Sequence, residues 1–167
     1  MRGGIGNALS VLDALSDRVN RGIEAFLAFL ALGMSVLISV QVFSRYFLNH
    51  SLFWSEEIGR ICLVWITFLG ASAVYKRNGH LGLDFFVKFL PERLRFFLRL
   101  VVLVLGMAFF AIMVRYGISF AQFATIQKTA ALGLPLAIPY AVLPVSGALF
   151  LLHGLSHLLR LLHDSGE

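Results

Sequence analysis

The sequence predicts an all-α integral membrane protein that crosses the bilayer four times. Of its 167 residues, 59% are hydrophobic and only 14% are charged, and the mean hydropathy is +0.84. A soluble domain needs a more polar surface than this composition supplies. The uncharged run 25–44 holds about 20 residues, so as a helix it would be about 30 Å long, the thickness of a bilayer's hydrocarbon core. Further apolar runs follow it along the chain.

Four membrane spans are predicted, at residues 24–46, 54–75, 98–120 and 140–160. The first is interpreted as a retained anchor, because the apolar region of a secretory signal is only about 7 to 15 residues long and lies closer to the start. Pro135, Pro139 and Pro144 fall in the first half of the last apolar run. That half is therefore predicted to be loop-like or re-entrant, with the fourth helix beginning near Tyr140 and no fifth span.

Two amphipathic helices are predicted to lie on the cytoplasmic membrane surface, at residues 4–22 and 80–90. Polar residues recur every three or four positions through the central segment and form one stripe: His80, Asp84, Lys88, Glu92, Arg95 and Arg99. Leu, Val and Phe fill the positions between them, a pattern typical of a helix in contact with membrane phospholipids. Pro91 is expected to end this helix and to begin the third span. Segment 4–22 shows a weaker version, and ordinary solvated loops remain the alternative for both.

The distribution of basic residues predicts the orientation of the chain. Ten of the 14 Lys and Arg residues lie in the N-terminal tail, the central loop and the C-terminus. The positive-inside rule therefore places both termini and the central loop in the cytoplasm. The remaining four lie on the external side: Arg45, Arg60, Arg115 and Lys128. The formal charge of +5 suits anionic headgroups, and no basic run with interleaved aromatics indicates nucleic acid.

The chemistry-bearing residues favour a protein that is not an enzyme and binds no cofactor or metal. None of the four spans has an Asp or Glu near its middle, where coupled transport usually requires an ionisable group. The chain is therefore not expected to perform transport alone. It also lacks a nucleophile and base constellation and a phosphate loop. Cys62 is the only cysteine, so no intrachain disulfide can form.

Two histidines near the end of the last span are the one candidate for a metal or haem site. His153 and His157 are four residues apart and share a helix face. A structural metal site needs about four ligands, and a bis-histidine haem needs a facing histidine at similar depth. Helix packing is the preferred interpretation of this pair, and a haem-binding electron-transfer subunit is kept as an alternative.

The segment 54-WSEEIGR-60 places charge directly against the second apolar run. If Ser55 caps the helix, Glu56 and Glu57 occupy its first turn and Arg60 pairs with one of them, which predicts a solvated helix start. However, a span of about 20 residues must also include Arg60, and charge at that depth normally faces protein. The cluster is therefore predicted to contact another helix or subunit through Trp54, Glu56, Glu57 and Arg60, with Trp65 and Gly70 as packing positions below it.

The longer stretch 54-WSEEIGRICLVWITFLGASAVYKRNGHLGLDFFVKFLP-91 resembles the small membrane subunit, of the DctQ type, of tripartite ATP-independent periplasmic (TRAP) transporters. The ordered landmarks are Trp54, Glu56, Glu57, Arg60, Trp65, Gly70, Ala71, His80, Asp84, Leu90 and Pro91. The later stretch 132-LGLPLAIPYAVLPVSG-147 resembles the segment that leads into this family's fourth helix. The resemblance covers most of the chain, from about residue 24 to 160.

The resemblance implies a scaffold role in the bacterial inner membrane. In such systems a periplasmic substrate-binding protein captures an organic acid, and a large membrane subunit moves it by a sodium-coupled elevator mechanism. The small subunit enlarges the static part of the large one, so the sodium and substrate sites are expected on that partner. An autonomous four-helix exporter or channel is the alternative, which transport by the purified chain alone would favour.

Overall fold

Four long helices form the protein in the computed structural model, which describes residues 2–50, 52–78 and 91–164. The helices, in chain order, are α1 (Arg2–Phe47), α2 (Phe53–Asn78), α3 (Glu92–Phe123), the short α4 (Ala137–Tyr140) and α5 (Val142–Asp164). Four segments are long and apolar enough to cross a membrane: Ser10–Phe47, Phe53–Arg77, Leu94–Phe123 and Ala137–Leu161. The all-α class is thereby confirmed, and each of the four predicted spans falls within one of these segments.

The first helix differs from the prediction, because one continuous helix of 46 residues replaces a surface helix at 4–22 followed by a span at 24–46. The chain has no proline before Pro91, so nothing in this stretch forces the helix to break. Its N-terminal half also packs on the rest of the protein, where Ser16 is fully buried and Asn20 nearly so. Contacts with the other helices, rather than its own amphipathic pattern, account for the position of this half of α1.

The predicted surface helix at 80–90 lies outside the described residues, and His80, Asp84 and Lys88 lie with it. The other three residues of the polar stripe begin the third span instead: Glu92, Arg95 and Arg99 are in α3. Pro91 precedes α3 as predicted, and its carbonyl oxygen accepts hydrogen bonds from the backbone N–H groups of Leu94 and Arg95, both at 3.0 Å. The helix that contains the predicted third span, 98–120, therefore runs from Glu92 to Phe123.

Helix α5 is the centre of the bundle and packs against α1, α2 and α3. Aromatic rings fill the space where three of these helices meet. Phe110 of α3 stacks on Phe150 of α5 with ring centroids 4.2 Å apart, and Tyr75 of α2 meets Phe150 edge-on at 5.4 Å. Such ring pairs add about 0.5–1.5 kcal/mol beyond the burial of their area, so this cluster holds α2, α3 and α5 together.

A folded loop and a short helix lead into α5, as the prolines predict. Between α3 and α4, the backbone N–H of Thr129 donates to the carbonyl of Leu134 at 2.8 Å, and Leu136 N–H donates to Gln127 at 2.9 Å. Gly133 lies at the turn with φ of +65°, a conformation that side chains disfavour. Pro144 lies in the first turn of α5, where its missing N–H costs nothing. This segment, residues 124–136, is called the α3–α4 loop below.

Helices α3 and α5 approach closely at two glycines. A Cβ atom at Gly147 would lie 2.8 Å from Val114 Cγ2, and one at Gly117 would lie 3.0 Å from Cδ and 3.1 Å from N of Pro144. The second contact involves backbone, which cannot rotate away. Close approach at small residues is the usual means by which membrane helices maximise their van der Waals contact.

Gly117→Ala is therefore expected to destabilise the fold by about 1–3 kcal/mol, because the added methyl group must push α3 away from α5. The measurement is the thermal unfolding midpoint of the purified protein in detergent. Gly33→Ala is the matched control, since a Cβ at Gly33 meets nothing within 4 Å. Equal midpoints for the two variants would contradict the close approach of α3 and α5.

Candidate functional site

The start of α2 carries the charged segment that the sequence singles out, and it differs from the predicted cap. The helix begins at Phe53, two residues before Ser55. Ser55 is 1% exposed, and its hydroxyl donates to the Leu52 carbonyl at 2.6 Å. Because this hydroxyl turns back toward Leu52, the prediction that Ser55 is the N-cap is wrong. Glu56 does lie in the first turn of α2, where a carboxylate is favoured.

Both carboxylates, Glu56 and Glu57, accept hydrogen bonds from other parts of this chain. Glu57 Oε2 accepts the backbone N–H groups of Ala131 and Leu132, each at 3.0 Å, and so ties the α3–α4 loop to α2. Glu56 Oε1 accepts from Gln41 Nε2 of α1 at 3.3 Å. Sequence reasoning missed the Glu57 contacts because their partners lie more than 70 positions further along the chain.

Arg60 does not form the predicted ion pair with either carboxylate in the described part of the chain. Its side chain is exposed, and so is that of Lys128 in the α3–α4 loop. Both line a cavity of about 500 Å³ between the start of α2 and that loop, with Phe53 and Tyr140 on its apolar side. Arg60 therefore lies on the surface of this chain with no opposite charge against it among the described residues.

Glu57→Ala is expected to loosen the α3–α4 loop while leaving the helix bundle intact, because charge-assisted hydrogen bonds to two backbone amides are lost. Hydrogen–deuterium exchange measured by mass spectrometry on peptides that cover 125–136 should then be faster. Glu56→Ala is the control, since it leaves both amide contacts in place. Unchanged exchange in Glu57→Ala would mean that the carboxylate does not hold the loop.

The six residues predicted to contact a partner do not share one side of α2. Trp65 faces α4, where its Nε1 donates to the carbonyl oxygen of Ile138 at 3.3 Å, and Glu57 bonds to the loop. Glu56 and Arg60 are exposed next to Glu57 and border the same cavity, and a Cβ at Gly70 would meet nothing within 4 Å. Trp54 is 41% exposed near the helix start. The structure thus separates residues that position the loop and α4 from residues that face outward.

The outward side of α2 continues as one exposed stripe along the whole helix. Its members, called the α2 face below, are Glu56, Arg60, Leu63, Thr67, Ala71 and Val74. Their spacing of three or four residues places them on one side. The exposed sides of the neighbouring long helices α1 and α3 differ in carrying stripes of large apolar side chains. Helix α1 exposes Phe29, Leu32, Val36, Val40, Phe43 and Phe47, and α3 exposes Leu105, Phe109, Ile112, Tyr116 and Phe123.

The opposite end of the bundle is joined by a second set of charged and polar contacts. Asp13 of α1 accepts hydrogen bonds from Ser156 and from Arg160 Nε, the latter at 3.0 Å. Lys76 of α2 lies 3.1 Å from Asp17 Oδ1 and 3.9 Å from Asp13 Oδ1. This polar cluster consists of Asp13, Ser16, Asp17, Lys76, His153, Ser156 and Arg160. It shows that the beginning of α1, the end of α2 and the end of α5 lie together.

Both candidate haem histidines make contacts between helices. His153 Nδ1 lies 2.7 Å from Ser16 Oγ of α1, and His157 Nε2 lies 3.2 Å from the Tyr75 carbonyl oxygen of α2. No group of three or more His, Cys, Asp or Glu side chains that could hold a metal ion occurs within residues 2–50, 52–78 and 91–164. The contacts agree with the packing interpretation of this pair. One indication of these contacts in the sequence was serine on mostly apolar helices, where a hydroxyl needs a hydrogen-bond partner. Ser16 and Ser156 are two such serines, and both belong to the polar cluster.

Four apolar helices, with charge exposed at the start of one of them, define a multi-pass helical membrane protein. The family described as "Tripartite ATP-independent periplasmic transporters, DctQ component" matches residues 34–164. The chain belongs to this family of small permease subunits, as the resemblance implied. It is a transporter component and not an enzyme.

Curated relatives come from other TRAP systems. The chain is 35% identical over 88 residues to the C4-dicarboxylate TRAP transporter small permease protein DctQ of Vibrio cholerae, which covers 52% of this chain and 38% of that protein. It is 26% identical over 132 residues to the sialic acid TRAP transporter small permease protein SiaQ of the same species, covering 77% of this chain and 76% of that protein. A match to the sialic acid TRAP transporter permease protein SiaT of Haemophilus influenzae has 28% identity over 115 residues, 69% of this chain and 19% of that protein. The chain thus spans less than two thirds of the length of the first two relatives it matches, SiaT and V. cholerae DctQ.

Proposed function

We propose that this chain is the small scaffold subunit of a sodium-coupled TRAP transporter that imports carboxylate-bearing organic solutes. It binds the large membrane subunit in the bacterial inner membrane, with both termini in the cytoplasm. A periplasmic substrate-binding protein delivers the solute. The observation that carries the proposal is the α2 face, whose residues suit contact with protein better than contact with lipid.

The composition of the exposed stripes supports this assignment. The exposed sides of α1 and α3 carry many large aromatic and aliphatic side chains, which suits acyl chains, along with small residues such as Ala31 and Ala111. The α2 face instead carries Thr67 and Ala71, with Gly70 beside them. Membrane helix interfaces are enriched in such small residues, because these let two backbones approach closely. The α2 face is therefore the surface on which a helix of the large subunit packs.

The charges at the external end of α2 also support the α2 face as the surface that contacts the large subunit. An Arg or Lys at the membrane centre costs about 2.5–3.5 kcal/mol on insertion scales, and charges near helix ends are tolerated when they face water or protein. Arg60 lies two turns inside α2 and forms no ion pair within the described residues. A carboxylate or a set of carbonyl oxygens on the large subunit would supply the missing partner.

The assignment of the sodium and substrate sites to the large subunit follows from the positions of the acidic residues in the described spans. Asp13, Asp17 and Glu24 precede the uncharged run 25–44 of α1, and Glu56 and Glu57 lie at the start of α2. The large subunit therefore provides the sodium and substrate sites, and this chain increases the area of helix that stays fixed while substrate moves. The printed names of the relatives refer to C4-dicarboxylates and sialic acid, both carboxylate-bearing, which supports the proposed class of solute.

Site-specific photo-crosslinking tests the proposal. A photoreactive phenylalanine analogue at Leu63 of the α2 face is compared with the same analogue at Val36 of α1 and at Ile112 of α3. The native side chains are similarly exposed, at 53%, 56% and 56%. In native membranes, position 63 should yield a covalent product with a large polytopic partner, and positions 36 and 112 should not. A product from only the two control positions would refute the assignment of the α2 face. A chain that purifies alone, and that transports solute alone in liposomes, would refute the scaffold role itself.

A further inference from the structure

Three buried polar atoms at the end of the bundle that contains the polar cluster have no hydrogen-bond partner within the described residues. They are Asn20 Oδ1, Lys76 Nζ and His153 Nε2. Each comes from a different helix: α1, α2 and α5. The three residues are 7%, 9% and 0% exposed, so solvent at the surface does not reach them freely. A buried polar group without a partner costs about 1–3 kcal/mol, and three of them in one region require an explanation.

All three side chains border the same turn of α1. His153 Nδ1 lies 2.7 Å from the hydroxyl of Ser16. Lys76 Nζ lies 3.1 Å from the carboxylate of the next residue, Asp17, although the ammonium has no well-directed hydrogen bond to it. Asn20 follows Ser16 by one turn and so lies on the same side of the helix. The three residues therefore all lie against the turn of α1 formed by residues 16–20.

The other ends of these side chains are held by existing contacts. Asn20 Nδ2 donates to Glu24 Oε1 at 2.8 Å, which directs Oδ1 of the same amide away from Glu24. His153 is held through its Nδ1 contact with Ser16. Turning either side chain to satisfy its unpartnered atom would break a hydrogen bond that it already makes. For Asn20 and His153, a small molecule can therefore supply the missing partner without such a loss.

The donors and acceptors match water. A lysine ammonium can only donate and an asparagine oxygen can only accept, whereas an imidazole nitrogen does either according to its tautomer. A water molecule can accept from Lys76 and donate to Asn20 and His153, which makes the three hydrogen bonds typical of a buried water. A cation would be repelled by the ammonium of Lys76. An anion would meet the carboxylates of Asp13 and Asp17, which lie 3.9 Å and 3.1 Å from that ammonium.

We propose that Asn20, Lys76 and His153 form a binding site for ordered water between α1, α2 and α5. The water accepts from Lys76 Nζ and donates to His153 Nε2, with Asn20 Oδ1 as a further acceptor. His153 then carries its proton on Nδ1 and donates it to Ser16 Oγ. The site extends the polar cluster into the bundle and completes the contact of the N-terminal half of α1 with α2 and α5.

Water-edited solid-state NMR of the full chain in lipid bilayers tests the site. The sample carries ¹⁵N-labelled histidine, and the variant His153→Gln identifies the resonances of His153 among those of the five histidines. The expected result is an unprotonated Nε2 and rapid polarisation transfer from water to the His153 ring, although this residue is fully buried. Slow transfer typical of a dry interior, or a proton on Nε2 with Nδ1 unprotonated, would overturn the proposal.

A pair of variants separates hydration of the site from general access of water to the bundle. Asn20→Leu fills part of the site with an apolar group and should slow the transfer to His153 at least threefold. Ser146→Ala is the control, because Ser146 is equally buried in α5 but donates to the Leu143 carbonyl. Equal transfer in both variants would overturn the site. A high-resolution density map of the wild-type chain, which needs no substitution, should show a water peak within about 3.2 Å of Lys76 Nζ; direct contact of Lys76 with His153 or Asn20 would overturn it as well.

Discussion

Ala71→Trp should separate this chain from its large partner without unfolding it. Ala71 is exposed on the α2 face and lies beside Gly70, where the chain leaves open space. If a partner helix packs there at close range, an indole side chain forces the two backbones apart and removes contacts along the whole stripe. We expect the amount of large subunit that co-purifies with the tagged chain to fall at least tenfold, which corresponds to about 1.4 kcal/mol, and solute uptake by cells to fall with it.

Val36→Trp is the matched control for this experiment. Val36 lies on the exposed stripe of α1, which is proposed to face lipid, and a tryptophan there replaces one large apolar side chain by another. Co-purification should stay near the wild-type amount. Both variants should have similar unfolding midpoints when purified alone, since neither position is buried in the chain. Full co-purification of Ala71→Trp, together with loss in Val36→Trp, would move the partner surface from α2 to α1.

The second large effect is expected from Asp13→Ala, at the other end of the bundle. The Asp13 carboxylate accepts hydrogen bonds from Ser156 and Arg160 of α5 and lies near Lys76 of α2. Its side chain is 20% exposed and that of Lys76 only 7%, so these charges are poorly compensated by water once the carboxylate is removed. Hydrogen bonds to charged groups contribute about 1.5–3 kcal/mol each. Allowing for partial exposure, the variant should lose about 2–3 kcal/mol of stability.

The measurement is the thermal unfolding midpoint in detergent, which should fall by roughly 5 °C or more for a chain of this size. Asp17→Ala is the comparison variant, because the Asp17 side chain is 57% exposed and its one ion pair among the described residues is with Lys76, so water partly replaces what is lost. Its midpoint should fall by clearly less than that of Asp13→Ala. Equal losses in the two variants would show that Asp13 is not the residue that joins α1, α2 and α5.

The charges at the start of α2 show how far local sequence rules extend. Helix-start rules correctly place Glu56 in the first turn of α2. They fail for Ser55, whose hydroxyl bonds back to Leu52 instead, and for the Arg60 ion pair, because both carboxylates contact groups that are distant in the sequence. Glu57 instead bonds to amides at Ala131 and Leu132, and Trp65 bonds to Ile138. The prolines before α5 predicted that a loop would be there, but nothing in their spacing indicated which carboxylate would hold it.

In the N-terminal half of α1, the sequence pattern correctly indicated a polar side but not what covers it. Its weak amphipathic pattern, with Asp13 and Asp17 on one side, predicted a separate helix on the membrane surface. The same acidic residues instead form ion pairs with Lys76 and Arg160, more than 50 positions away. An amphipathic pattern reports that one side of a helix is polar, and it does not report whether water, headgroups or another polar helix covers that side.

The sequence by itself determined the class of this protein, its four apolar helices long enough to span a membrane and its DctQ-type landmarks. These follow from properties that need no contact between distant residues, namely the length of apolar runs, the position of prolines and the order of motifs. Only the tertiary structure decided which polar residues face each other and which side of α2 remains uncovered. The physical reason is that a helix pattern states where a side chain lies around its own axis, whereas hydrogen bonds and ion pairs depend on the packing of α1, α2 and the α3–α4 loop around α5.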